Sequence, residues 1–162
     1  MMFRRTLLAP LALVLFAGAC DGDGTGPRQE QFTATLSGQA ERQDNPVTTN
    51  ATGTATFTVN GNAIDYTITV SNLTGVTGAH IHGPATTEEN AGVLVPLPIT
   101  AAGTGTVNGV LAQGSFTSAQ INPNANLSMD ALLELMRNGQ TYVNVHTTAH
   151  APGEIRGQIQ RQ

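Results

Sequence analysis

The chain has 162 residues, a formal net charge of −4, a single cysteine and seven basic residues, all of them arginine. The absence of lysine excludes Schiff-base chemistry, the lone cysteine excludes an internal disulfide, and an acidic balance without any basic run argues against nucleic acid as a partner. The length suits one domain with one core, stabilised by packing alone or by a metal.

The first residues read as a targeting segment. Arg4 and Arg5 supply a positive start, residues 7–16 an apolar run broken only by Pro10, and Ala17, Gly18 and Ala19 lead to Cys20. Such a run is too short for a stable membrane span and is expected to act as a secretory signal over residues 1–19. It resembles a bacterial lipoprotein signal, whose cysteine is acylated and becomes the first mature residue, although Ala17 stands where that pattern usually has leucine. The resemblance implies lipidation at Cys20, export, and anchoring in the bacterial cell envelope, with the lipid as the contact to the membrane. Residues 20–30 are Gly-rich and almost free of apolar side chains, the composition of a flexible tether. The folded domain is expected over residues 31–162.

Within that domain, Thr, Val and Gly are frequent and period-two alternation recurs, so the expected fold is all-β: an antiparallel Greek-key sandwich or barrel with one short helix. Residues 32–36 form a first strand. Residues 52–59 form a second, with Ala55, Phe57 and Val59 on one face. Asn60-Gly61 marks a tight hairpin turn. Residues 64–70 return, with Ile64, Tyr66, Ile68 and Val70 against Asp65, Thr67 and Thr69. A short strand over 79–82 ends at Gly83-Pro84. Residues 93–99 are extended, but Pro96 and Pro98 cannot donate to a ladder, which suits an edge strand or a crossing segment. Residues 103–116 read as two weak strands around Asn108-Gly109. A helix is expected over 129–137, capped by Ser128, stopped by Gly139, with Leu132, Leu133 and Met136 as its apolar stripe closing one end of the barrel. Strands over 142–147 and 154–160 complete the chain.

All four histidines fall in two of these segments, Gly78-Ala79-His80-Ile81-His82-Gly83-Pro84 and Tyr142-Val143-Asn144-Val145-His146-Thr147-Thr148-Ala149-His150. Alternation puts His80 and His82 on one face of a strand, and Asn144 with His146 on one face of another. If the two strands meet, His80, His82 and His146 converge, with His150 within reach as a loop residue. Imidazole is a good ligand for copper and zinc, and three or four nitrogens match their usual count. The alternative is a hydrogen-bonded cluster, with His146 pinned by Asn144 or Glu154. Glu154 and Arg156 share a strand face, where they form either an ion pair or, beside a metal, a carboxylate and an anion-steering arginine; the ion pair is the favoured reading. Glu88 and Glu89 are either carboxylate ligands or part of a polar, solvated loop, the favoured reading. No Ser-His-Asp arrangement and no phosphate-binding Gly-rich loop is present.

Five stretches together match a known pattern: Phe32-x-Ala34-x-Leu36-Ser37-Gly38, Asn50-Ala51-Thr52-Gly53-x-Ala55, residues 79–84, residues 142–147, and Pro152-Gly153-Glu154-Ile155-Arg156-Gly157-Gln158. In this order they resemble the chordin-type (CHRD) domain, over essentially the whole mature chain. Residues 41–46 depart from the shorter segment usual there. That family provides the repeated modules of chordin, an extracellular antagonist of bone morphogenetic proteins, and single domains of bacterial exported proteins. The resemblance implies a non-catalytic binding module with a protein or surface component as partner. A second likeness is to copper-zinc superoxide dismutases, in the H-x-H strand and the late Gly-x-Ile-Arg-Gly strand; it implies copper or zinc held by the histidines, with redox chemistry. Neither likeness carries function by fold alone.

Overall fold

The computed structural model describes residues 29–44, 46–100, 103 and 105–162. The expected signal, Cys20 and most of the tether lie outside these residues. The elements are β1 (Gln31–Ser37), β2 (Thr52–Asn60), β3 (Ala63–Thr74), β4 (Val76–His82), β5 (Val93–Leu97), β6 (Thr106–Phe116), α1 (Met129–Arg137), β7 (Tyr142–Thr147), β8 (Ile155–Gln158) and β9 (Gln160–Arg161). The strands form one antiparallel sheet in the order β5-β4-β7-β8-β1-β2-β3-β6, with β9 added to β1. In this order β8 lies beside β1, so strands from the two ends of the chain meet in the middle of the sheet. The sheet curls into a nearly closed barrel with a single short α-helix. Its edges are β5 and β6, and beyond β5 the chain reaches across, where Thr100 N–H donates to the Leu111 carbonyl at 2.9 Å.

Alternation builds the core. Ile64, Tyr66, Ile68 and Val70 of β3 are buried, as are Ala55 and Phe57 opposite them on β2, while Thr54, Thr56 and Thr69 are not. The ladder runs unbroken from Thr52↔Ser71 to Asn60↔Ala63, so the tight turn is Gly61-Asn62, one residue later than expected. Gly61 has φ +60°, a conformation that glycine adopts without strain. Ser128 Oγ accepts the Ala131 N–H at 3.2 Å and starts α1, whose Leu132, Leu133 and Met136 join the barrel core. Gly139, at φ +63°, follows its end.

Two expectations are corrected. Residues 106–116 form one strand of eleven residues rather than two. Asn108-Gly109 does not turn the chain. Asn108 Oδ1 instead accepts from Ser71 Oγ and Asn72 N–H, and the extra backbone is absorbed by register shifts against β3. The last expected strand divides in two: Ile155–Gln158 pairs with β7, and Gln160–Arg161 pairs with β1. The 93–99 segment is an edge strand as expected, with Pro96 in it. Glu30, at the end of the tether, bonds Arg137 Nη2 at 2.7 Å and Arg161 Nε at 3.1 Å, joining the start of the domain to α1 and β9.

Phe57 and Ile68 are 1% and 0% exposed. Truncating either to alanine should cost about 2–5 kcal/mol in a denaturant titration. Set against a typical domain stability of about 5–15 kcal/mol and no disulfide, that is enough to unfold much of the population under mild stress. An unchanged midpoint would show that the face assignment of β2 and β3 is wrong.

Candidate functional site

The β4–β7 ladder decides where the histidines go. Gly78 faces His146, His80 faces Asn144, and His82 faces Tyr142. Ala79, Ile81, Val143 and Val145 point into the core at no more than 1% exposure, so His80, His82, Asn144 and His146 occupy the outer face. His146 is thereby the diagonal neighbour of His80, close enough for ring contact. Gly78 leaves the site opposite His146 empty of side chain, and the His80 ring lies over it: a Cβ there would stand 3.5 Å from His80 Cε1.

One ring nitrogen from each of His80, His82 and His146 lies within 4.8 Å of the other two. The shortest approach is His80 Nδ1 to His146 Nε2, 2.9 Å. Backbone carbonyls only accept, so His82 Nδ1–H donates to the Ala91 carbonyl and His146 Nδ1–H to the Ala151 carbonyl, each at 2.9 Å. In a neutral ring both Nε2 atoms then carry lone pairs. His146 Nε2 accepts from His80 Nδ1–H. His82 Nε2 is buried and has no hydrogen-bond partner. Anchoring Nδ1 on a carbonyl so that Nε2 is presented is how metal-ligating histidines are commonly held. Two nitrogens on one ion at 2.0–2.1 Å are about 2.9–3.4 Å apart, so the closest pair already has that spacing and the widest must close by about 1.5 Å.

Behind His82 stands a stack. The Tyr142 ring lies parallel to the His82 ring with centroids 4.9 Å apart, and the Arg156 guanidinium lies 3.5 Å from the Tyr142 centroid. Arg156 is 1% exposed and donates to the Thr86 carbonyl at 3.0 Å, the Glu89 carbonyl at 2.8 Å and Asn90 Oδ1 at 2.9 Å. It thus clamps the 86–90 loop, and the next residue, Ala91, offers the carbonyl that orients His82.

The other residues singled out from the sequence separate. His150 sits in the turn after β7, outside the three-nitrogen group; its backbone N–H donates to Thr147 Oγ1. The expected Glu154–Arg156 ion pair does not form. Glu154 accepts from Thr49 Oγ1 and Thr147 Oγ1, each at 2.7 Å, while Arg156 turns to the loop. Across the ladder from Arg156, Asn144 Nδ2 donates to the Pro152 carbonyl at 3.3 Å, and the Asn144 amide also lies beside His82. Glu88 pairs with Arg42 and Glu89 Oε2 accepts from Thr86, so neither carboxylate is in the cluster.

Electrostatics keep the rings ready for a cation. Burial, with His146 and His82 adjacent, lowers the His80 pKa to about 4, and burial lowers that of His82. His80 is therefore neutral at physiological pH, with no proton for an ion to displace from a charged ring. Glu41 is the residue that the sequence did not flag. It follows the 3-10 turn Gly38–Ala40, and burial raises its carboxyl to about 7 against the pull of Arg156, Gln43 and Asn144. Its position in the 41–46 segment, which departs from the CHRD pattern, gave no motif by which to find it.

The CHRD domain family matches residues 32–159, nearly the whole of the barrel. The chain belongs to the CHRD domain family. No curated protein and no solved structure matches it.

The Glu41 shift has a measurable consequence. Its folded pKa lies above the unfolded value, so stability falls as pH rises from about 4.5 to about 7 and the loss persists above that. Glu41→Gln, which cannot ionise, should be more stable than the parent at pH 8 by about 1–3 kcal/mol and equal to it near pH 4. Denaturant melts at the two pH values check this; a gap of the same size at both would show that ionisation is not the cause.

Proposed function

We propose that this CHRD domain is an exported binding module whose ligand is a divalent transition metal, copper or zinc, held by His80, His82 and His146. The carrying observation is the convergence of one ring nitrogen from each of His80, His82 and His146 to within 4.8 Å of one another, with His82 Nε2 buried and without a hydrogen-bond partner. A buried acceptor without a partner costs about 1–3 kcal/mol, a cost that a bound ion would remove. A metal ion is the partner that three converging imidazoles suit. In this reading Arg156, sequestered beneath Tyr142 and bonded to the 86–90 loop, positions His82 rather than steering a substrate.

Metal content decides the reading. Protein purified without a polyhistidine tag should take up one copper or zinc ion per chain, measured by elemental analysis after gel filtration. His82→Ala should weaken copper binding at least about tenfold, and His146→Ala likewise, while His150→Ala leaves it unchanged. A stable, metal-free domain that does not take up copper would reject the proposal.

The same proposal places the domain at a membrane surface through lipid on Cys20, with residues 20–30 as its tether. The support is the apolar run ending at Ala17-Gly18-Ala19-Cys20. Cys20→Ser should release the domain from the membrane fraction or stall its processing. A variant that still fractionates with membranes as the parent does would show that lipid is not the anchor.

A further inference from the structure

The three imidazoles leave a bound ion short of a protein ligand; Glu41 lies outside their group, and most of the other neighbouring donors are committed elsewhere. His150 is held in its turn. Glu154 is occupied by two threonine hydroxyls, Glu88 by Arg42, and Glu89 by Thr86. The Tyr142 hydroxyl points to Ala91, whose carbonyl it meets at 3.4 Å. Among the described residues no carboxylate or thiolate belongs to the nitrogen cluster. His82 closes the site from behind at 8% exposure, whereas His80 and His146 are half-buried, so the remaining coordination position opens to solvent. Sites with three protein ligands and an open position are those where metals meet exchangeable ligands, and closed four-ligand sites are structural.

Charge selects what enters. All three ligands are neutral imidazoles, so a divalent ion keeps its full charge, and the buried Arg156 cation, one ring away behind Tyr142, adds to the positive field. We infer that the metal held by His80, His82 and His146 has an exchangeable fourth position on the solvent side that takes a small monovalent anion in place of water. The inference rests on the metal reading above. The exchange is a ligand substitution: the bond from the metal to water breaks, a lone pair of the anion forms the new bond, and no oxidation state changes.

Copper(II) and azide test it on the full-length protein. Copper-loaded protein titrated with sodium azide should develop an azide-to-copper charge-transfer absorption and a shifted electron paramagnetic resonance spectrum. Both should saturate at one azide per copper, with copper retained on gel filtration. His150→Ala should behave as the parent. Copper bound one to one with spectra indifferent to millimolar azide would overturn the inference and leave the metal site standing. So would azide that strips the copper without forming an adduct, or an azide response that appears only in His150→Ala, since His150 would then fill the position. Failure to bind copper or zinc at all would overturn the metal reading, and the anion site with it.

Discussion

A buried guanidinium without a carboxylate partner organises this end of the barrel. Arg156 is 1% exposed, and a desolvated cation is tolerated only when its donors are satisfied and its charge is screened. Two backbone carbonyls and one side-chain amide from the 86–90 loop meet the donors, and the face of Tyr142 meets the charge. Satisfying Arg156 thereby fixes the path of an otherwise polar and exposed loop. That path sets Ala91, Ala91 sets the tautomer of His82, and the tautomer leaves the lone pair on His82 Nε2.

The barrel supplies the remaining precision. β4 and β7 are central strands, each paired on both sides, so a slip in their register would carry Ala79, Ile81, Val143 and Val145 out of the core. The hydrophobic pattern that holds the register also holds the diagonal between His80 and His146. Each imidazole therefore projects from a backbone fixed by core packing, a better foundation for a converging site than a surface loop. His150, on a turn, lacks that support and does not join the cluster.

The electrostatic state of the site follows from the same burial. His80 and His82, placed close together on a partly desolvated face, resist protonation. The nearby carboxyl of Glu41 is pushed the opposite way by the same loss of solvent. His80, His82 and His146 all fall within the residues that the CHRD domain family matches.

Much of this was legible in the sequence, because period-two alternation is a local signal. It placed Ile64 to Val70 against Ala55 and Phe57, and it put His80, His82 and His146 on outward faces of their strands. Capping chemistry at Ser128 located the helix, whose ends depend on side chains only a few residues apart. The sequence alone did not decide that β4 and β7 are neighbours, since strand order depends on packing between segments more than sixty residues apart. Nor did it decide the partner of Arg156. Arg156 and Glu154 share a strand face, but each found a better-placed partner across space, and the ion pair that proximity suggested did not form. Asn108-Gly109 misled for a similar reason: the favoured turn dipeptide is a local preference, and here the chain continues in the ladder with β3, with the Asn108 side chain bonded to Ser71 and Asn72. Glu41 was invisible because burial, the sole cause that singles it out, exists only once the chain has folded.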